Sequence, residues 1–245
     1  MNSPNNPSGA ICHNLKELAK VAKKNNLIIL SDEIYTDLSF DNSYKSISKF
    51  YPESTFISGG LSKWCGAGGW RLGFFAVPNK YEEFLKNLKT LASETYSTVN
   101  TPTQYAAVEA YQGDHKDYLH KTTNILGSIG DYVYNKLKSN KILINKPQGG
   151  FYLMPDFTKL LSHKFKDSKI FCKTLLDETG VAVLPGSDFG FSHEKLIFRL
   201  SYVDFDGSKF LEAKDNEIIE ANLCKFAPKI VEGIQQIINF TKKYK

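Results

Sequence analysis

The chain has 245 residues, 42% hydrophobic and 23% charged, with a formal net charge of +5. That length supports one to two domains with a real core, and that balance excludes a disordered, collagenous or fibrous chain. No apolar run reaches the roughly 18 to 20 residues of a membrane helix, the polar start lacks a signal-peptide core, and acids interrupt the basic residues; the expectation is a cytoplasmic protein binding neither membrane nor nucleic acid.

After a turn-rich opening, His13 to Asn25 reads as a helix, and Leu27 to Leu30 as a buried strand ending in Ser31-Asp32-Glu33. Ser54 to Ser58 and Leu72 to Val77 read as two more strands, separated by the Gly-rich turn Gly59 to Gly69. From Tyr81 to Leu137 the pattern is mainly helical, with breaks at Thr101-Pro102 and near Gly113-Asp114. Lys141 to Asp156 alternates like a hairpin around Gly149-Gly150, and Ser168 to Thr179 gives an amphipathic helix ended by Gly180. Val181 to Leu184 and Lys195 to Tyr202 are the last strands, and Asp215 to Phe240 closes the chain as one long helix or two. The expected fold class is α/β, a mostly parallel sheet with helices over residues 1–125 followed by a smaller α+β domain over 126–245.

Cys12, Cys65, Cys172 and Cys224 lie far apart and form no CxxC pair, so they read as reduced thiols and no metal site is expected. Only two of the 31 basic residues are arginine, Arg71 and Arg199. Where lysine serves for general surface charge, a planar and permanently charged fork points to two-pronged recognition of a carboxylate or phosphate.

Four separated motifs, NSPNNPSG (Asn2 to Gly9), SDEIY (Ser31 to Tyr35), GGLSKWCGAGGWRLG (Gly59 to Gly73) and FRLSY (Phe198 to Tyr202), resemble the class I/II aminotransferases, fold-type I enzymes that use pyridoxal phosphate (PLP). QGGFYLMPD (Gln148 to Asp156) is a fifth, weaker match, and the set runs in the family's order. The resemblance implies that Lys63 is the catalytic residue, holding the cofactor as a Schiff base and moving a proton at the substrate's α-carbon. It implies that Asp32 pairs with the pyridine nitrogen, that Tyr35 and Asn6 bond the phenolic oxygen, that Arg71 binds the phosphate and that Arg199 binds the substrate's α-carboxylate. Gly60 stands where the family usually has a phosphate-contacting serine.

Some of these residues also fit simpler roles. The run Leu27 to Glu33 looks like the strand of a Walker B magnesium site as well, but no GxxxxGK[ST] loop accompanies it. Asp32 could cap a helix, and Asn6 stands in a sequence that turns whatever its function. By resemblance the chain corresponds to the later part of a large PLP-binding domain plus the small domain. The family's earlier segment supplies the phosphate-binding helix N-terminus, a ring-stacking aromatic and most sheet strands. The expected function is amino-group exchange between an amino acid and a 2-oxo acid, in a homodimer when complete, with residues 1–245 alone inactive; a carbon-sulfur β-lyase of the same fold type, or a non-catalytic fragment, is the alternative.

Overall fold

The computed structural model describes every residue except 42, 43, 215, 216 and 219, so the helix start expected at Asp215 lies outside the described residues. The chain divides into two compact units, one formed by Met1–Pro4 and Ile11–Leu119 and the other by Asn5–Ala10 and His120–Lys245.

In the first unit, helix α1 (Leu15–Lys24) buries Leu15, Ala19 and Ala22, one stripe at helical spacing. These pack with Ile47 and Tyr51, and Ile29 lies against the same cluster. Ile29 opens strand β1 (Ile29–Asp32), which pairs in parallel with β2 (Thr55–Gly60); Asp32 stands opposite Ser58. Strand β3 (Gly73–Ala76) then pairs antiparallel with β2, Gly60 opposite Gly73. The sheet is therefore mixed rather than mostly parallel. A Gly-rich turn leads from β2 straight into β3, and such a direct return without a crossover helix makes an antiparallel neighbour.

The expectation of a buried first strand fails. Leu27, Ile28 and Leu30 are 53%, 57% and 53% exposed. Because β1 lies at the sheet edge and strand side chains alternate, Ile29 and Ser31 turn toward the α1 cluster while Leu30 shares the other face with Asp32. Phe56 of β2 is buried among Phe75, Tyr81 and Phe84, with ring centroids 5.7, 5.0 and 5.6 Å away. Helices α2 (Glu82–Thr95) and α3 (Thr101–Gln112) follow. The break expected at Thr101-Pro102 is present as the gap over 96–100, and Thr101-Pro102 opens α3. Proline fits the first turn, where its missing N–H has no intrahelical partner, and the Asn100 side chain caps the turn by accepting from the Thr103 N–H at 3.3 Å. Helix α4 (Lys116–Ser139) begins after the break expected near Gly113.

The second unit holds β4 (Tyr152–Leu153), β5 (Leu184–Pro185) and β6 (Phe198–Ser201), all antiparallel with β6 in the middle. The expected hairpin over Lys141 to Asp156 shrinks to one bridge between Leu143 and Asp156. The Gln148 and Gly149 N–H groups instead donate to the Gly9 carbonyl, at 2.8 and 3.1 Å, and β4 takes β6 as its partner. Gly9 has φ +70, and a Cβ there would stand 2.8 Å from the Tyr152 carbonyl oxygen, so only glycine fits this approach.

Helix α5 (Thr158–Leu161) precedes α6 (Ser168–Thr179), which has the boundaries read from the sequence. Its N-terminus is capped by Asp167, whose Oδ1 accepts from the N–H groups of Lys169 and Ile170, and Gly180 ends it at φ +74. Helices α7 (Gly207–Glu212), α8 (Leu223–Phe226) and α9 (Pro228–Tyr244) complete the unit. Its core centres on Phe198, fully buried and stacked on Phe157 at 5.0 Å and on Phe171 at 5.9 Å.

Candidate functional site

Two groups of the sequence-predicted residues are built locally, one in each unit. In the first, Asp32 ends β1, where a parallel pair places its carboxyl ends and open α/β sheets present ligand-binding side chains. Its Oδ1 accepts from the Ser58 hydroxyl and from the Ile34 N–H, both at 3.3 Å. The neighbouring Glu33 anchors the same turn. Its Oε1 accepts from the hydroxyls of Ser31 at 3.0 Å, Ser46 at 2.6 Å and Tyr44 at 3.5 Å, and its N–H donates to the Ser58 carbonyl at 2.8 Å. Burial, reinforced by the Glu33 charge, pushes the Tyr44 phenol up to about 12.

Tyr35 follows this turn and is buried at 4% exposure, and the Lys63 Nζ lies 5.9 Å from its ring centroid. Lys63 stands in the turn after β2. Arg71, before β3, has φ +55 and an exposed side chain whose Nη1 donates to the Gly68 carbonyl at 2.8 Å. Gly60 now has a physical reason: a Cβ would stand 2.7 Å from the Leu72 carbonyl oxygen and 3.0 Å from the Gly73 Cα, so the closing stems leave no room for a serine. The Ser58 hydroxyl is engaged by Asp32.

The second group centres on Arg199 of β6. Its Nη1 donates to the Asn6 Oδ1 at 2.9 Å, bringing together two residues 193 positions apart. Its guanidinium carbon lies 4.5 Å from the Tyr152 ring centroid and 5.0 Å from that of Phe189. The Arg199 Nε is buried with no hydrogen-bond partner. A buried, unpaired guanidinium N–H is costly unless an acceptor meets it, so this fork is shaped for an anion.

Sequence reasoning missed Tyr152 and Phe189. Tyr152 lay in the weak QGGFYLMPD match, whereas Phe189 in GSDF carried no signal. Glu33 sat inside SDEIY without an assigned role. Among the described residues no cluster of three or more His, Cys, Asp or Glu could hold a metal ion, and no helix is long and apolar enough to cross a membrane.

A helix-rich chain with a mixed sheet in one unit and an antiparallel sheet in the other fits a partial PLP-transferase fold. The family model for aminotransferase class I and II matches residues 1–208, and the chain belongs to that family. It is 36% identical over 198 residues to an aspartate aminotransferase of Bacillus sp. (strain YM-2), covering 78% of this chain and 50% of that protein. It is 33% identical over 201 residues to a probable N-acetyl-LL-diaminopimelate aminotransferase of Bacillus subtilis (strain 168), covering 81% and 49%. Among solved structures, an aromatic aminotransferase from Pyrococcus horikoshii OT3 superposes with a TM-score of 0.78 at 27% identity, covering 99% of this chain and 59% of that one. An aspartate aminotransferase from Thermus thermophilus with maleate gives 0.78 at 25% identity, covering 98% and 55%. The chain spans about half the length of the curated relatives it matches.

Proposed function

We propose that this protein works in PLP-dependent transfer of an amino group between an amino acid and a 2-oxo acid. The observation that carries the reading is the Arg199 fork, with Nη1 on Asn6 and a buried, unpaired Nε, because amino acids and 2-oxo acids share the carboxylate such a fork grips.

The donor set fits PLP in kind: an amine, a carboxylate, a phenol and a guanidinium are the groups that an aldehyde, a ring nitrogen, a phenolic oxygen and a phosphate call for. In this reading Lys63 would hold the cofactor, Asp32 would pair with the ring nitrogen, Tyr35 and Asn6 would serve the phenolic oxygen, and Arg71 would serve the phosphate. The ring, when bound, supplies an electron sink for the pair left at the substrate's α-carbon. Arg199 would bind the α-carboxylate, and the Lys63 Nζ would be the base that takes the proton from the α-carbon. Ser58 and the Ile34 N–H orient Asp32 from behind, and the Glu33 hub holds the turn that carries both Asp32 and Tyr35. A cytoplasmic homodimer acting in amino-acid biosynthesis is the setting proposed for it, supported by the family alone.

Borohydride reduction of the chain in saturating PLP, followed by peptide mapping, tests the assignment. The pyridoxyl group is expected on Lys63 ahead of the other lysines and is lost in Lys63→Ala; preferential labelling elsewhere would overturn it. Because residues 1–245 alone are expected to be inactive, transfer is distinguished from β-elimination in this chain joined to the earlier segment of the family, by release of the 2-oxo acid from an amino acid without release of ammonia.

A further inference from the structure

We propose that Tyr152 and Phe189 are positioning residues that clamp the Arg199 guanidinium between two aromatic faces and set the plane in which it meets a carboxylate. The inference rests on the reading of Arg199 given above and adds the parts that aim it.

The clamp follows from the strand order. Strand β6 lies between β4 and β5, and Tyr152 pairs with Ser201, placing its ring on the diagonal from Arg199 on the same sheet face. Phe189 comes from the opposite side, at the end of the single helical turn Gly186–Phe189 that follows β5. That turn is tied to the strand carrying Arg199. The Gly186 N–H donates to the Ile197 carbonyl at 2.7 Å, and a Cβ on Gly186 would stand 3.0 Å from the same oxygen. Gly190 closes the turn at φ +85. Tyr152 is itself buried at 8% exposure, and Phe189 is half-buried.

Both ring centroids lie within the roughly 6 Å at which a cation is attracted to an aromatic face. A weakly hydrated planar cation gains from such stacking and loses rotational freedom about its plane normal to the rings. With Nη1 spent on Asn6, the orientation of the remaining N–H groups is fixed by the two rings. An arginine held this way meets an incoming carboxylate without first ordering its own long side chain, which lowers the cost of binding.

The composition makes the test clean, because the chain has only two arginines. In the chain labelled with ¹⁵N-arginine, two Nε–H signals are expected, assigned by the loss of one in Arg71→Lys. The Arg199 signal should show a heteronuclear NOE near that of ordered backbone and should move saturably on titration with acetate at constant ionic strength. Tyr152→Leu and Phe189→Leu should each lower the NOE and weaken acetate binding about tenfold. Tyr152→Phe and Phe189→Tyr, which keep the rings, should stay within about twofold of the parent. Leucine variants that keep both NOE and affinity would overturn the clamp while leaving the carboxylate reading intact, as would ring-keeping variants that fail like the leucines. An Arg199 as mobile as Arg71 in the unsubstituted chain also overturns the clamp, whether or not any variant folds. An Arg199 signal that ignores acetate overturns the carboxylate reading itself.

Discussion

Replacing Asn6 with aspartate gives Arg199 an internal carboxylate in place of a neutral acceptor. The existing bond is 2.9 Å and partly buried, so Asn6→Asp, which keeps the shape, converts it to a charge-assisted pair. Unit charges about 4 Å apart at an effective dielectric near 20 attract by about 4 kcal/mol, of which the present bond from a charged donor already supplies roughly 1.5 to 3 kcal/mol. The net gain of about 1 to 2 kcal/mol measures how far the new charge satisfies the guanidinium, and an incoming carboxylate on the remaining N–H groups meets a like charge of similar weight. Acetate affinity at pH 7, read by calorimetry, should fall about fivefold to thirtyfold. The variant should also be more stable at neutral pH. The new carboxyl ionises below its unfolded value near 3.9 because Arg199 favours its charged form, so that extra stability is present above pH 4 and disappears as pH falls through the lowered folded value. Unchanged acetate binding would refute the reasoning, since it would mean the Nη1 bond to Asn6 is irrelevant to how Arg199 receives an anion.

Gly60→Ser, which restores the serine usual in the family, should destabilise the first unit by about 1 to 3 kcal/mol in denaturant unfolding, because its Cβ must displace the Leu72 and Gly73 backbone. Phe198→Ala should cost the second unit about 3 to 5 kcal/mol, since the ring is fully buried against Phe157 and Phe171; a loss below 1 kcal/mol would mean the site collapses freely. Alkali should unfold the chain progressively from pH 9. The Cys172 thiol, raised to about 12 chiefly by burial, and the Tyr44 phenol stay neutral in the fold while their unfolded counterparts ionise near 9 and 10, adding up to about 1.4 kcal/mol per pH unit each until the folded values are reached. In the same range, a thiol reagent should modify exposed Cys224 while Cys172 stays protected until unfolding.

Much of this was legible in local sequence. The α6 boundaries follow from Asp167 and Gly180, which cap a helix by side chain and by positive φ and need no distant partner. Lys63, Asp32 and Arg199 could be singled out as candidates because their motifs are contiguous and ordered. What the sequence hid was decided by pairing across long separations. The alternation in Lys141 to Asp156 looked like a hairpin, yet Gly9 took two of its N–H groups and β6 took its strand. Leu27, Ile28 and Leu30 looked like core because apolar runs usually are, and only the edge position of β1 shows which side chains find cover. Phe189 stood in a turn whose meaning depends on Arg199, ten residues on.

The backbone passes between the two units three times, after Pro4, after Ala10 and after Leu119, so neither unit is one continuous stretch. That threading constrains how such a protein can be recombined. A chimera joined only at residue 119 would inherit Arg199 from one parent and Asn6 from the other, together with a foreign Gly9 for the Gln148 and Gly149 N–H groups. The segment Asn5–Ala10 therefore has to travel with residues 120–245 as a single exchangeable module, and crossovers that carry it should give folded progeny more often than those that leave it behind.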